Sequence, residues 1–307
     1  MRVPFQRFLC VFLFLSLSRP VWADAAFLHE IAPGVFLHQG QHADLDSPAR
    51  GDSANLGVVI GTRCVAVIDS GGSIATGEAL RAAITKLTDQ PVCYVINTHV
   101  HFDHVLGNAA FVASGTEFIG QAKLPESLAG SREFFADTFA AELGGTAQGA
   151  RVIMPTRAIE DEARLDLGGR ILVLQAVATA HTATDLMVLD EQTNTLFTGD
   201  LLFRERLPVL DGSLKGWMTW LQDARARHYA RVVPGHGPVD AAWPAGAAAE
   251  QRYFEVLLAE TRAAIAKGVF IEDAKHSVAS GELGHWQLTT RAHPLNVSRA
   301  FRELEWE

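Results

Sequence analysis

Four side chains that are suited to binding metal ions follow one apolar segment of the chain. The segment Val92 to Asn97 is rich in β-branched and apolar residues, which predicts a strand, and it leads into His99, His101, Asp103 and His104. Alternate residues of an extended chain point to the same side, so His99 and His101 can bind one metal ion together. If the chain then turns into a helix, Asp103 and His104 can reach a second ion beside the first. The cluster therefore predicts that this strand ends at a site of metal chemistry.

Three further residues of metal-binding type lie at the ends of other predicted strands. His181 follows an apolar segment that ends at Val177, Asp200 follows Gly199, and His236 follows Gly235. A single histidine of this kind is more often a hydrogen-bonded structural residue, and an aspartate after a glycine can simply cap a turn. One shared metal site explains the whole set better, because loops at strand ends bring distant ligands together. The candidate ligands are His99, His101, Asp103, His104, His181, Asp200 and His236.

Strands and helices alternate along the rest of the chain. Apolar, β-branched segments predict strands at 35–38, 56–60, 64–68, 163–167, 171–176, 186–189, 195–198 and 232–233. Amphipathic segments predict helices at 73–88, 134–143, 214–228 and 247–267. No segment has the composition of a linker between domains, which favours one compact α/β domain. We expect this domain at 24–245 and a helical C-terminal extension, residues 246–307, packed on it.

The first residues have the three parts of a secretory signal. Arg2 and Arg7 form a basic region, a largely apolar run of ten residues follows from Phe8 to Leu17, and a small residue, Ala23, ends a cleavage motif. A run of this length is too short to cross a bilayer, which takes about 20 apolar residues in a helix. We expect a signal peptide at 1–23, a periplasmic or secreted protein, and no membrane span in the mature chain.

The predicted cleavage makes the protein more acidic. It removes three arginines and no acidic residue, so the net charge changes from −9 to −12. Nucleic acid is therefore excluded as the main partner, because phosphate binding needs a basic surface.

Two cysteines remain after the predicted cleavage. Cys64 and Cys93 each lie five residues before a residue at a strand end, Asp69 and Thr98, so neighbouring strands could place them side by side. The two cysteines could form a disulfide or remain free buried thiols, and free thiols are the commoner case for cysteines in strands.

The order and spacing of the candidate ligands resemble one family. The motifs His99-x-His101-x-Asp103-His104, His181, Thr198-Gly199-Asp200 and Pro234-Gly235-His236-Gly237 are similar to those of the metallo-β-lactamase superfamily, and the resemblance extends from about Val35 to Gly237. It implies the αββα sandwich, in which two mixed sheets pack face to face. Helices then cover the outer faces, and the metal ions lie in a cleft at one edge.

The resemblance also implies a role for each ligand. His99, His101 and His181 would hold a first zinc ion, Asp103, His104 and His236 a second, and Asp200 would bridge the two. Asp69 and Asn55 also match the family's pattern, and Asp69 would steady the ligand loop through hydrogen bonds.

A zinc-dependent hydrolase is the activity that the resemblance implies. A hydroxide between the two ions would be the nucleophile, since zinc lowers the pKa of water to about 7, and Asp103 and Asp200 would orient it and carry its proton. We expect a small-molecule substrate with an ester, thioester or amide bond, lactams included. One class of lactamases has cysteine at the position of Asp200, whereas glyoxalase II-like hydrolases have aspartate there, as this chain does. The segment from His181 to Asp185, in contrast, resembles the lactamase loop.

Other functions on the same fold remain open. Imidazole and carboxylate ligands suit iron and manganese as well as zinc. The alternatives are a class B-type β-lactamase and a non-hydrolytic iron, redox or accessory protein.

The C-terminal sequence resembles a particular subgroup of the family. Trp286, His293, Asn296-Val297 and the last six residues, 302–307, are similar to the SoxH-related quinoprotein relay system zinc metallohydrolases. That resemblance implies association with a periplasmic quinoprotein dehydrogenase system and names no substrate.

Two segments are candidate walls of the cleft. The polar loop 41–55 is either a lid over the substrate or an ordinary solvated loop. The segment Phe203 to Trp217 offers Arg204, Arg206 and Lys215 for an anionic substrate.

Overall fold

Two β-sheets form the centre of the computed structural model, which describes residues 27–113, 115–145, 152–240 and 242–307. The predicted signal peptide, residues 1–23, lies outside the described residues. Within these ranges no helix combines the length and the hydropathy needed to cross a membrane.

The first sheet has seven strands in chain order. They are β1 (His29–Ala32), β2 (Val35–His38), β3 (Leu56–Ile60), β4 (Val65–Ile68), β5 (Val92–Ile96), β6 (Glu117–Gln121) and β7 (Arg157–Ile159). The pairs from β1 to β4 are antiparallel, and those from β4 to β7 are parallel. The sheet is therefore mixed, and its parallel half places several carboxyl ends at one edge.

The second sheet has five strands in the order β12-β11-β10-β9-β8. They are β8 (Glu162–Asp166), β9 (Ile171–Ala176), β10 (Leu186–Asp190), β11 (Thr195–Phe203) and β12 (Arg231–His236). Only β11 and β12 pair in parallel, so this sheet is mixed as well.

Apolar side chains from both sheets meet in one core. Val59, Ile68 and Ile96 of the first sheet pack in the same cluster as Leu174 and Phe197 of the second. Burial of this face accounts for the near-continuous apolar runs in these strands.

Helices cover the outer faces of the two sheets. They are α1 (Ile74–Leu87), α2 (Phe102–Val105), α3 (Leu124–Thr138), α4 (Leu214–Arg225), α5 (Ala248–Ala266), α6 (Ile271–Ser277) and α7 (Thr289–Leu304). The helix α1 packs Leu80 and Ile84 against the first sheet. The helices α4, α5 and α7 pack on the second sheet through Trp217, Phe254 and Val297. This is the αββα arrangement that the sequence predicts.

The predicted elements differ from the structure in a few places. The helix expected at 134–143 runs instead from Leu124 to Thr138, with Pro125 in its first turn, where a proline is tolerated. The strands β1, β6 and β7 are not predicted from the sequence, because they have only three to five residues and carry charged residues near their ends.

The expectation of free thiols is wrong, because Cys64 and Cys93 form a disulfide. The strands β4 and β5 are parallel neighbours, and their register shifts after the pair Val65 and Val92. This irregularity places Cys93 beside Cys64, with their Cα atoms 5.6 Å apart, within the range that a disulfide requires. The bridge joins the two strands at the ends where they begin.

Candidate metal centre

The structure brings all seven predicted ligands together at one edge of the two sheets. Their donor atoms form two adjacent groups that could each hold a metal ion, and within each group these atoms lie within 4.8 Å of one another. We call them the four-residue group, which is His99, His101, His181 and Asp200, and the three-residue group, which is Asp103, His104 and His236.

Parallel strand pairs explain why the ligands meet. His99 follows the carboxyl end of β5, beside β4, while Asp200 and His236 lie in the neighbouring parallel strands β11 and β12. Asp103 and His104 lie in the short helix α2, directly after His101. The chain thus turns after the two alternating histidines, as the sequence predicts.

Asp200 contacts both groups. Its Oδ2 lies 3.5 Å from His181 Nε2 and 3.7 Å from His99 Nε2. The same carboxylate approaches the other group, with Oδ1 at 3.2 Å from His104 Nε2 and Oδ2 at 3.3 Å from His236 Nε2. This position suits a bridging carboxylate.

Each of the five ligand histidines has one ring nitrogen engaged by the protein. A ring nitrogen fixed in this way sets the orientation of the imidazole, so that the other nitrogen can bind a metal ion. The contacts are His99 Nδ1 with Thr98 Oγ1 at 3.1 Å, His101 Nε2 with Asp211 Oδ2 at 3.2 Å, His104 Nδ1 with Asp69 Oδ2 at 2.7 Å, His181 Nδ1 with the Val209 carbonyl oxygen at 2.7 Å, and His236 Nδ1 with the Ser53 carbonyl oxygen at 2.8 Å. The remaining nitrogens of His101 and His181 face each other, with Nδ1 of the first 3.0 Å from Nε2 of the second.

Several polar atoms at the centre of the site lack a hydrogen-bond partner. His99 Nε2, His104 Nε2 and Asp200 Oδ1 are fully buried and make no hydrogen bond within the described structure. The last two atoms lie 3.2 Å apart but are not aligned for one. Burying such atoms unpaired is costly. Divalent metal ions would satisfy all three, and the set of imidazole and carboxylate donors is one that such ions prefer.

Burial keeps most of these imidazoles neutral. It lowers the pKa of His99 well below its ordinary value and lowers the pKa of His181 to about 3. Burial and the nearby Arg206 guanidinium also lower the pKa of His236. Neutral rings keep the lone pair that a metal ion needs, so protons compete weakly for these nitrogens.

His101 and His104 differ from these three histidines in their charge environment. Burial opposes protonation of His101, but the Asp211 carboxylate outweighs it and raises the pKa of His101. The effect is larger at His104. Burial opposes protonation, but the carboxylates of Asp200, Asp69 and Asp103 outweigh it and hold the pKa of His104 well above its ordinary value. Three carboxylates thus concentrate negative charge at the three-residue group. This environment attracts a cation.

Asp69 and Asn55 support the ligand loops. Asp69 Oδ1 accepts a hydrogen bond from the Thr98 amide at 2.8 Å, and its Oδ2 accepts one from Thr98 Oγ1 at 2.7 Å in addition to its contact with His104. Asn55 Nδ2 donates to the carbonyls of Pro234 and Gly237, both at 2.8 Å. The predicted role of Asp69 is confirmed, and Asn55 fixes the turn that carries His236.

A glycine beside His236 gives Asp200 its space. A Cβ atom on Gly235 would overlap the Asp200 carboxylate. Glycine is therefore required at this position by close approach rather than by backbone conformation.

A cavity of about 210 Å³ lies over the two groups. Its charged lining includes Asp44, Arg206 and Arg291, next to the ligands His101, Asp103, Asp200 and His236. Its apolar lining consists of Leu45, Phe102, Phe134, Phe139, Val209, Leu288, Ala292 and Leu295. The site can therefore accept a small molecule that is largely apolar.

The loop 41–55 contributes to one wall of this cavity through Asp44 and Leu45. Two of its polar residues make structural contacts instead. Arg50 pairs with Glu142 at 2.5 Å, and Asp52 accepts a hydrogen bond from His38 Nε2 at 2.5 Å.

Only one of the three predicted anion-binding side chains faces the cavity. Arg204 donates to the carbonyls of Pro238 and Val239, and Lys215 pairs with Glu307, so the prediction is wrong for these two residues. Arg206 lines the cavity, with Nη1 3.0 Å from His236 Nδ1. Within the described ranges no carboxylate lies close enough to form an ion pair with it.

The sequence pattern does not predict the partners of four candidate ligands. Asp211 contacts His101, the Val209 carbonyl accepts from His181, and Ser53 accepts from His236 and donates through Oγ to Asp103 Oδ2 at 2.8 Å. None of these residues belongs to a motif. A weak signal exists at Asp211, an acidic residue in a loop between a strand and a helix.

Comparisons with known proteins agree with this architecture. A family model described as the metallo-beta-lactamase superfamily matches residues 49–236, more than half of the chain. A curated relative, the beta-lactamase-like protein 2 homolog of Caenorhabditis elegans, is 25% identical over 163 residues. That match covers 53% of this chain and 48% of the relative, so the chain spans about half the length of that protein.

Two solved structures share the fold. An inverting sec-alkylsulfatase from a Pseudomonas species has a TM-score of 0.70 and 16% identity, and the match covers 91% of this chain and 50% of that one. A metallo-beta-lactamase from Pontibacter korlensis has a TM-score of 0.58 and 21% identity, covering 74% of this chain and 98% of that one. At this level of identity the likeness shows the fold alone.

Proposed function

Because the chain belongs to the metallo-β-lactamase superfamily, whose members are generally hydrolases, we propose that it is an exported hydrolase with two zinc ions. Its substrate would be a small molecule with an ester, thioester or amide bond, lactams included. One observation carries the proposal: seven histidine and aspartate side chains form two adjacent donor groups beneath a cavity, and three of their buried atoms lack any other partner.

The proposed ligand assignment follows the two groups. His99, His101 and His181 would hold one ion, Asp103, His104 and His236 the other, and Asp200 would bridge them. Bound zinc would lower the pKa of water to about 7 and polarise the bond that is cleaved.

The chain's own carboxylates would handle the proton. Asp103 and Asp200 are buried, lie next to the cavity and have pKa values below the ordinary range. Burial alone would raise these values, but the neighbouring histidines, His104 and His236, outweigh it. Both groups are therefore ionised at neutral pH, so they can orient the attacking water and accept its proton.

Arg206 and the apolar walls would select the substrate. A guanidinium without a carboxylate partner beside the ligands suits an anionic group, and the surrounding phenylalanine and leucine side chains suit an apolar one. We therefore propose a substrate that carries both an anionic group and an apolar group.

The two alternatives keep the same site. A class B-type β-lactamase would be one case of this proposal, in which the amide bond belongs to a lactam. A non-hydrolytic protein would bind iron at the same residues, because the ligands suit iron as well.

Export to the periplasm and association with a quinoprotein dehydrogenase system are parts of the proposal that rest on the sequence. The first rests on the signal-like residues 1–23 and the second on the resemblance of the C-terminal residues. The disulfide between Cys64 and Cys93 supports export, because such bonds persist in oxidising compartments.

The activity test compares metal-free and zinc-loaded protein on a panel of small substrates. The panel holds an aryl ester, a thioester, a β-lactam and a secondary alkyl sulfate, each with an apolar group. We expect zinc-dependent hydrolysis of at least one ester, thioester or lactam. Cleavage of the sulfate alone would move the proposal to sulfate esters, and purification with iron and no hydrolysis of any substrate would contradict it.

A further inference from the structure

The loop 207–213 holds two of the ligand histidines. The Val209 carbonyl accepts a hydrogen bond from His181 Nδ1 at 2.7 Å, and Asp211 Oδ2 lies 3.2 Å from His101 Nε2. The backbone of the loop is also bonded to the segment of His181, through Asp211 N to the His181 carbonyl at 3.0 Å. This loop contains no helix or strand, so its position depends on what it packs against.

One face of the C-terminal helix α7 binds this loop along its length. Asn296, Arg299 and Glu303 are spaced three and four residues apart and so lie on one side of the helix. Asn296 accepts from the Leu210 amide at 2.8 Å and donates to the Pro208 carbonyl at 2.7 Å.

The other two residues bind the far part of the loop. Arg299 donates to Asp211 Oδ1, the second oxygen of the carboxylate that contacts His101. Glu303 accepts from Ser213 Oγ and from the Leu214 amide, both at 2.7 Å. Three side chains of one helix therefore hold the loop at its beginning, middle and end.

The helix itself has a fixed base. Asn296 is fully buried and its Nδ2 lies 3.1 Å from Tyr253 Oη of α5. Val297 and Ala300 are buried in the core that α5 shares with the second sheet. The loop is thus anchored to a packed part of the protein.

His101 is the ligand that depends most on this support. Its side chain is 26% exposed, whereas the side chains of His99, His104, His181 and His236 are 0–2% exposed. Packing fixes the rings of the buried histidines. The more exposed ring of His101 is held through Nε2 by Asp211 and through Nδ1 by His181 Nε2 at 3.0 Å, and His181 is fixed in turn by the Val209 carbonyl.

We propose that α7 is a positioning element of the metal centre. Asn296, Arg299 and Glu303 hold the loop 207–213 so that Asp211 and Val209 fix the rings of His101 and His181. The inference rests on the proposed binding of metal ions by these histidines. It gives α7, which also lines the cavity through Arg291, Ala292 and Leu295, a second role at the site.

Zinc affinity without any substrate tests this proposal. Dissociation constants for Zn²⁺ would be measured by competition with a chromogenic chelator in the wild type, Arg299→Ala, Arg299→Lys and Asp211→Asn. Loss of a residue that orients a ligand weakens metal binding by about 10–100-fold. We expect such a loss for Asp211→Asn at one of two zinc equivalents, a loss of about 10-fold for Arg299→Ala, and recovery of most of it in Arg299→Lys.

Two controls separate positioning from stability. Arg302, exposed and three residues further along α7, makes no ion pair in the described part of the chain, so Arg302→Ala should bind zinc like the wild type. The double variant Arg299→Ala with Asp211→Asn should bind zinc no more weakly than Asp211→Asn alone, because both act through one carboxylate.

The results distinguish this inference from the proposed function. Unchanged zinc affinity in either Arg299→Ala or Asp211→Asn would overturn the positioning role, even if that variant unfolds at a lower temperature. A wild-type protein that binds no zinc, iron or manganese would overturn the proposed function itself.

Discussion

The two ends of the central strands carry different kinds of polar contact. Where β4 and β5 begin, the Cys64–Cys93 disulfide joins them. Near the same end, the buried Arg170 guanidinium forms a two-bonded ion pair with Asp190, at 2.8 and 2.7 Å, and donates to the Pro33 and Ile60 carbonyls. All three nitrogens of this guanidinium have hydrogen-bond partners, and these contacts link one sheet to the other.

At the other ends of these strands, some buried polar groups lack partners. Three carboxylates and four histidines are buried there, and His99 Nε2, His104 Nε2 and Asp200 Oδ1 have no hydrogen-bond partner in the described structure. A protein that was built only for stability would not bury such groups unpaired. The difference separates one end, which stabilises the fold, from the other, which is the candidate metal centre, and changes at each end should have separate effects.

The largest effect is expected at Asp200, which contacts both donor groups. Asp200→Ala should remove metal and reduce hydrolysis by more than about 100-fold, because removal of a ligand costs more than removal of its supporting partner. Metal content, turnover and the far-ultraviolet circular dichroism spectrum would be measured together. We expect the spectrum of the variant to remain that of the folded protein. Full activity in this variant, or in His101→Ala, would contradict the role of these ligands.

A smaller effect is expected at Asp69, which holds His104 and Thr98 at once. An asparagine has nearly the same shape but cannot accept from both partners, so Asp69→Asn should weaken metal binding by about 10–100-fold. Competition with a chelator measures this change, and the exposed Asp89→Asn serves as a matched control. Equal zinc affinities for the two variants would show that Asp69 does not support the ligand.

Arg206 should change substrate preference more than rate. A hydrogen bond between charged groups contributes about 1.5–3 kcal/mol, so Arg206→Ala should raise KM for an anionic substrate by about 10-fold or more. KM for a neutral substrate should stay the same, and Arg206→Lys should recover part of the loss. An unchanged KM for anionic substrates would remove Arg206 from substrate binding.

The smallest effect on metal binding is expected at the opposite end of the strands. Asp190→Asn leaves the buried Arg170 without its counter-charge and should cost about 3–5 kcal/mol of unfolding free energy. Zinc affinity should be unchanged. A large loss of zinc affinity in this variant would break the distinction between the two ends.

This stability effect should depend on pH in a defined direction. Burial alone would raise the pKa of Asp190, but hydrogen bonds from Arg170 and Thr193 outweigh it and hold the pKa below the ordinary value of 3.8. The stabilisation is therefore complete above pH 3.8 and is lost as the pH falls through the lowered value. Denaturant unfolding of wild type and Asp190→Asn should give free energies that converge below that pH.

The sequence predicts that these seven side chains come together, and part of their geometry is local. His99 and His101 alternate in an extended segment, Asp103 and His104 follow in the next turn, and parallel strands bring the remaining ligands to the same edge. The motif and the strand pattern together contain this information.

Other features depend on contacts between distant segments. The disulfide follows from a register shift between β4 and β5, which no residue pattern predicts. Arg204 and Arg206 have the alternating spacing of one strand face, but Glu205 adopts a positive φ of 66° and the turn sends the two side chains in different directions. Asp211 reaches His101 from a loop that is held both by α7 and by the segment of His181.

Metal stoichiometry tests the central claim most directly. Protein freed of metal, reloaded with Zn²⁺ and washed of excess would be analysed for bound metal, with Asp200→Ala as its comparison. The account predicts two zinc ions per chain in the wild type and fewer than two in the variant. A wild-type protein that retains no more than one zinc ion, or the same number as Asp200→Ala, would contradict it.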